Sequence, residues 1–268
     1  MSTSTFVSAS AIAASDFALQ TVATNLSNQL TDGFYRSDAI LTNTVFQDVL
    51  GKTEGPTGKR QNQGIPSLQT GSGVYVAATM RDFRQGVADS TKNKYDLFIN
   101  GPGFLEVDMG NDMKGYTRAL HLKTDSEGIL RLITDYPLTN EIKIDPGKYV
   151  SFLVEKDGKI LGLTPEGTQD ELGQLSLVNF INPAGLIAHE DTLFTWSPEA
   201  GDPIEGRPGD PGFGSMIQGS IERSNVDGPT ELIRAAMIQK FSNANATALR
   251  IAQSKENEDV RQLSQISA

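Results

Sequence analysis

Two histidines, His121 and His189, are the only imidazoles in 268 residues, and cysteine is absent. A protein metal site needs three or four ligands at defined spacing. His121 lies in a β-patterned run and His189 beside Glu190 and Asp191 in a loop-like stretch, and neither sits in such a ligand pattern. Without a thiol, cysteine catalysis, disulfides and thiolate-held metals are excluded. Asp108, Asp112 and Asp125 stand beside Gly, Asn and Ser, where short carboxylates close turns. They do not read as a pair for acid–base work. Gly101-Pro102-Gly103 precedes a strand pattern, whereas a phosphate-cradling glycine loop has to open a helix. Gly58-Lys59 lacks the earlier Gly and the following Ser or Thr of a nucleotide loop, and no Ser/His/Asp order comes with a nucleophile elbow. No enzyme is expected, and no cofactor, metal or small-molecule substrate.

The composition narrows the partners. The formal charge is −10, which disfavours nucleic acid, because neutralising phosphates needs clustered Lys and Arg. The densest basic spot, Lys59-Arg60, lies in a Gly/Gln-rich stretch and reads as solvated. No apolar run is expected to reach the ~18 residues of a spanning helix. A cleavable signal peptide is not expected either: the first basic residue is Arg36, and residues 6–14 are Ala/Ser-rich.

The elements that would position function lie at the two ends. Ile12, Leu19, Val22, Leu26 and Leu30 recur at helical spacing over residues 8–30, and the helix is expected to close near Asn28. A second helix is expected over 229–266, with Leu232, Ala235, Ala246, Leu249, Val260 and Leu263 along one side. Pro229 takes its first position, Gly228 caps it, and Glu231 suits the positive end of the helix dipole. An apolar stripe on a terminal helix has to be buried somewhere; the other terminus and further copies of the chain are the simplest cover. Between the helices, short β-rich runs begin at Val74 and include 97–100, 104–107, 116–122, 129–133, 142–144, 150–154, 159–163 and 174–180, with turns at Gly128 and Asp157-Gly158. That pattern predicts an antiparallel sandwich or barrel.

The fold class read from this is α+β, with paired, coiled-coil-like terminal helices and a mainly antiparallel β-domain inserted between them. The expected domains are 1–40 (N-terminal helix), 41–73 (connector), 74–215 (β-rich domain, ending in the Gly/Pro-rich linker 197–214) and 216–268 (C-terminal helix). Asn25, Asn28, Gln239, Asn243 and Asn245 bring amides onto or near the helical faces. They read either as solvent-exposed or as buried amides that fix helix register.

Three ordered motifs resemble the rod and hook family of bacterial flagellar axial proteins. NLSNQLTDGFYR (25–36) resembles that family's N-terminal signature through Asn25, Leu26, Asn28, Thr31, Gly33, Phe34 and Arg36. DLFINGPGFLEV (96–107) followed by Tyr116-Thr117-Arg118 is similar to its Gly-x-Gly-Phe and Tyr-Thr-Arg sequence, and GSIERSNVD (219–227) to its entry into the C-terminal helix. LGQLSLVNFINPAGL (172–186) resembles the distal-rod branch. Thr24, Ser27, Tyr35 and Ala119 depart from the usual residues, and the charged run 255–259 is closer to the proximal-rod paralogue.

The resemblance implies a structural subunit that polymerises into a hollow helical rod, of its distal segment by subtype, and carries torque from motor to hook. Its implied partners are copies of itself, other rod proteins, the hook protein, the export apparatus and surrounding ring proteins. Its implied place is the periplasm-spanning basal body, reached by flagellar type III export. Leu19, Val22, Asn25, Leu26, Asn28, Gly33 and Phe34 at one end are candidate assembly residues. Ser224, Asn225, Val226, Leu232, Gln239, Asn245 and Leu249 are those at the other. A proximal-rod or hook-type paralogue is the near alternative, and a secreted β-sandwich surface-binding module the distant one.

Overall fold

A computed structural model describes residues 3–44, 46–50, 68–110, 113–190 and 192–266. Gly58, Lys59, Arg60, most of the expected connector and Asp112 lie outside the described residues, as do the side chains of Val260 and Leu263. The chain divides into two units. The first comprises 1–26, 37–80 and 228–268; the second comprises 27–36 and 81–227.

The first unit holds the long helices α1 (Thr3–Ser27) and α2 (Gly228–Ile266). Between them in sequence come β1 (Ser37–Asn43), β2 (Phe46–Leu50), β3 (Leu68–Gly71) and β4 (Val74–Arg81). β2 and β3 pair antiparallel, and β4 lies beside β1. Helix α1 stops at Ser27, so Leu30, expected on its apolar face, lies in the turn beyond and is exposed. The buried side of α1 is Ser8, Ala11, Ser15, Ala18, Val22 and Asn25, alternating in steps of three and four. It is a small-residue seam. The larger Ile12, Leu19 and Leu26 are only half-buried beside it. Contrary to the expectation from sequence, α1 is long and apolar enough to cross a membrane by composition, with Asp16 its single charge.

The second unit carries the remaining strands. In chain order these are β5 (Ala88–Ser90), β6 (Asp96–Asn100), β7 (Phe104–Asp108), β8 (Lys114–Thr117) and β9 (Leu120–Thr124). Next come β10 (Leu130–Leu132), β11 (Ser151–Val154), β12 (Lys159–Leu163), β13 (Gln169–Gln174) and β14 (Leu177–Asn179). The last are β15 (Ile187–Ala188), β16 (Leu193–Thr195), β17 (Ile204–Gly206), β18 (Ser215–Gln218) and β19 (Ser220–Glu222).

A six-stranded sheet runs β15-β16-β8-β7-β14-β17, and a four-stranded one β10-β9-β6-β18; β11-β12-β13 and β19-β5 are smaller. Every pairing with a described register is antiparallel. Leu97, Ile99, Val107, Leu120, Leu130, Ile160 and Leu177 build the larger core, and Tyr35, Phe104, Tyr116, Phe180 and Phe194 an aromatic one.

Four details differ from the pattern expected. The run 116–122 is two strands, because the chain leaves the six-stranded sheet at Thr117 and enters the four-stranded sheet at Leu120. The turning residues are Arg118 and Ala119. The run 174–180 likewise splits between β13 and β14, and 142–144 makes only a bridge, Lys143 to Ile129. The Gly/Pro-rich stretch 197–214, expected as a linker, holds a short 3-10 turn at Pro198–Ala200 and β17, which pairs with β14.

Candidate functional site

The sequence signatures at the two ends form two clasps, one in each unit. In the first unit, Asn25 near the end of α1 is fully buried. Its Oδ1 accepts from the Ser37 N–H at 2.9 Å and its Nδ2 donates to the Ser37 carbonyl at 2.8 Å. The amide thus plays the part of a neighbouring strand at the start of β1. The same Nδ2 donates to Glu231 Oε2 in the first turn of α2, at 3.2 Å. Glu231 is itself fully buried and accepts from Arg234 Nη1 at 3.2 Å; that guanidinium also donates to Asp38 Oδ1 at 2.6 Å.

In the second unit, the segment 27–36 is held by residues around β19. Asn28 Oδ1 accepts from the Thr31 hydroxyl, and the Thr31 N–H donates to the Asn28 carbonyl, closing the turn after α1. Gly33 has φ +71°, and its N–H donates to the Glu222 carbonyl at 2.7 Å. A Cβ there would come within 2.7 Å of the Ala119 nitrogen, so the position requires glycine for both space and backbone conformation. Tyr35 Oη donates to Glu222 Oε1 at 3.1 Å, and the Gly86 N–H donates to the same oxygen at 3.0 Å.

Arg118 Nε stands 3.0 Å from Glu222 Oε2 with both side chains buried, a charge contact without hydrogen-bond alignment. Arg118 Nη2 donates to the carbonyls of Ile99 and Gly101. Burial pushes the Glu222 carboxyl above its ordinary value, with Arg118, the Gly86 N–H and Tyr35 pulling the other way. Burial likewise raises the Tyr35 phenol, so it stays a donor.

Two further contacts tie the same segment. Asn225 Oδ1 accepts from the Arg36 N–H at 2.8 Å, while its Nδ2 donates to the carbonyls of Asp82 and Arg84. Arg223 reaches Asp32 Oδ1 at 2.9 Å and Asp89 Oδ2 at 2.8 Å. His121 lies between two carboxylates, with Nε2 2.9 Å from Asp32 and Nδ1 3.0 Å from Asp96. His189 lines an open cleft with Lys114, Tyr116 and Trp196. Among the described residues no group of three or more His, Asp and Glu is arranged to hold a metal.

The structure therefore brings together Asn25, Asn28, Gly33, Phe34, Ser224, Asn225 and Val226 as parts of these clasps. Phe34 and Val226 are buried, and the Ser224 hydroxyl accepts from the Val226 N–H. The partners Glu222, Arg118, Arg223, Glu231, Arg234 and Asp32 were not among the expected site residues. The signal available in sequence was the pairing of an acidic with a basic residue beside each signature, as in Glu222-Arg223. Along the helices the amides split: Asn25 is buried, whereas Gln239 and Asn243 are exposed and bond each other, and Asn245 bonds back to the Phe241 carbonyl. Leu249 is half-buried and Leu232 exposed.

The outward side of α2 carries Ile233, Met237, Phe241 and Ile251, each more than half exposed, and α1 presents Phe6 and Phe17. These two helical faces are the candidate assembly surface. The family model "Flagellar hook protein FlgE/F/G D1 domain" matches residues 98–162. The chain is 33% identical over 251 residues to the flagellar basal-body rod protein FlgG of Buchnera aphidicola subsp. Schizaphis graminum, covering 92% of this chain and 94% of that one. It is 32% identical to the FlgG of Borreliella burgdorferi over 91% and 92% of the two chains. The flagellar hook protein FlgE of Salmonella typhimurium is similar over a shorter span, 31% identical across 42% of this chain and 28% of that protein. With such identity sustained along nine-tenths of both chains, this protein belongs to the family of flagellar basal-body rod proteins FlgG.

Proposed function

We propose that the chain is a non-enzymatic structural subunit of the distal flagellar rod, one that polymerises with its own copies into a hollow helical shaft. The observation that carries this reading is the pair of exposed apolar faces on α1 and α2. Two helices of 25 and 39 residues that leave Phe and Ile side chains in water gain free energy only when another surface covers them. In a rod that surface is the next subunit. The relatives' names give the place, the flagellar basal body.

In this reading α1 and α2 pair through their inner stripes. The Asn25–Glu231 bond and the heptad-like seam of α1 support that pairing. Other rod proteins, the hook protein, the surrounding rings and the export apparatus would be its further partners. The subunit would reach the periplasm-spanning rod by flagellar export.

Mass spectrometry of hook–basal bodies, before and after the hook is sheared off, tests the assignment. The chain is expected to stay with the sheared rod. Recovery only with the detached hook would move it to the hook side, and absence from both fractions would overturn the reading.

A further inference from the structure

Asn100-Gly101 is the single Asn-Gly pair of the chain. A glycine after asparagine leaves the backbone nitrogen unshielded, so that it can reach the asparagine side chain and displace its amide. The fold nevertheless demands glycine at 101. Its φ is +120°, a conformation that L side chains rarely adopt, and a Cβ there would lie 2.8 Å from the Gly214 Cα. Asn100 ends β6, opposite Ser215 of β18. It is exposed, and its side chain makes no hydrogen bond among the described residues.

One neighbouring side chain brackets this residue. Gln85 Oε1 accepts from the Gly101 N–H at 3.2 Å, and Gln85 Nε2 donates to the Ile99 carbonyl. Ring closure has to turn the Gly101 nitrogen toward Asn100 Cγ. The extended backbone of β6 and the Gln85 bond both oppose that rotation.

We infer that Asn100 is a deamidation site, and that Gln85 holds the reaction back while the fold is intact. This goes beyond the rod reading and does not depend on it. Once Gln85 lets go, the Gly101 nitrogen gives its proton to solvent base and attacks Asn100 Cγ. The N–Cγ bond forms, the Cγ–Nδ2 bond breaks, and the side-chain nitrogen leaves as ammonia, taking its proton from water. Water then opens the succinimide ring, so that one water is consumed for each ammonia released. Opening at Cγ leaves aspartate. Opening at the Asn100 carbonyl carbon leaves isoaspartate, whose main chain runs through the former side chain and is one carbon longer. That carbon falls between the carbonyls of Ile99 and Gly101, which Arg118 Nη2 bridges in the intact chain. Arg118 also stands against Glu222, so the lesion loosens the clasp of the second unit.

Peptide mapping by mass spectrometry tests this on the full-length chain incubated in mildly alkaline buffer. Deamidation at Asn100 is followed in folded wild type, in folded Gln85→Ala and in both chains unfolded by urea. Folded wild type is expected to react at least about tenfold more slowly than the unfolded chain, because ring closure waits on local opening. Gln85→Ala should raise the folded rate about two- to tenfold, the worth of one ordinary hydrogen bond, and leave the unfolded rate unchanged. Gln85 is exposed, so the variant is expected to fold. A folded Gln85→Ala no faster than wild type overturns the inference. So does a wild-type rate that urea does not raise, or an Asn100 that keeps its amide even in urea. Should circular dichroism show the variant unfolded, hydrogen exchange of the Gly101 amide in wild type decides instead. Slow exchange supports the guarding bond, and exchange as fast as in urea overturns it.

Discussion

At the scale of single residues, the two clasps depend on polar groups that burial makes unforgiving. Asn25 satisfies both the N–H and the C=O of Ser37 and also donates to Glu231. Asn25→Ala leaves buried backbone groups without partners, at about 1–3 kcal/mol. Asn25→Asp should be worse than Ala despite its closer shape, because a carboxylate would then face the Glu231 carboxylate. Hydrogen exchange of α1 amides reads this out; equal protection in the two variants would show that the amide donor to Glu231 does not matter. Arg118 poses the complementary case, since it opposes the burial that raises the Glu222 carboxyl. With the guanidinium gone, that carboxyl rises further. A group whose folded value exceeds its unfolded one, ~4.3 for Glu, loses stability as pH climbs from that value through the folded one. Arg118→Met should therefore destabilise the second unit by on the order of 3 kcal/mol at neutral pH. The deficit should shrink on acidification toward pH ~4–5. Urea midpoints at pH 7 and pH 5 check the sign, and a gap that widens at the lower pH would refute it.

At the scale of elements, α1 has two unlike sides. Ala14 lies on the buried seam and Phe17 on the outer face. Ala14→Leu overfills a site built for a methyl group and should cost the monomer about 1–3 kcal/mol. Phe17→Ser should change monomer stability by no more than about 0.5 kcal/mol, its effect appearing only on assembly. Thermal unfolding of the dilute chain distinguishes the two. This asymmetry also marks where the sequence was legible. The start of α2 at Gly228-Pro229, the closure of α1 before Asn28 and the turn at Gly128 were readable because each rests on local backbone chemistry. The buried side of α1 was not, because large side chains drew the expected face through Ile12, Leu19, Leu26 and Leu30. A seam of Ala and Ser lets backbones approach closely, and hydropathy does not register that. The break at Arg118-Ala119 was hidden for another reason: the side chain that fills it pairs with Glu222, about a hundred residues away. Long-range charge pairs leave no periodicity behind.

At the scale of the whole molecule, the division into units does not follow the order of the chain, and that has a consequence in the test tube. Strand β4 pairs with β1 in the first unit, whereas residues 27–36, although next to α1, belong to the second. If α1 and α2 await a neighbour to cover their outer faces, the dilute monomer should open locally there first, since elements with few buried apolar contacts sit at the low end of local stability. Limited proteolysis of dilute chain should then cut within 1–26, 37–80 and 228–268. The resistant product should be broader at its C-terminal end than a 74–215 domain, because β18 and β19 are integral to the sheets, and should span about 81–227. A second product is expected beside it. The peptide 27–36 contributes Tyr35 to the aromatic core and bonds Glu222 and Asn225, so once cut free at both ends it should remain attached and co-elute under native conditions. Intact-mass analysis before and after denaturation would show it appear only when the fold is broken. Loss of that peptide during native gel filtration would mean the clasp is too weak to hold the segment once it is cut from the helix. Full protection of α1 and α2 in a verified monomer would mean the helices need no neighbour, which removes the main physical reason for reading their outer faces as an assembly surface.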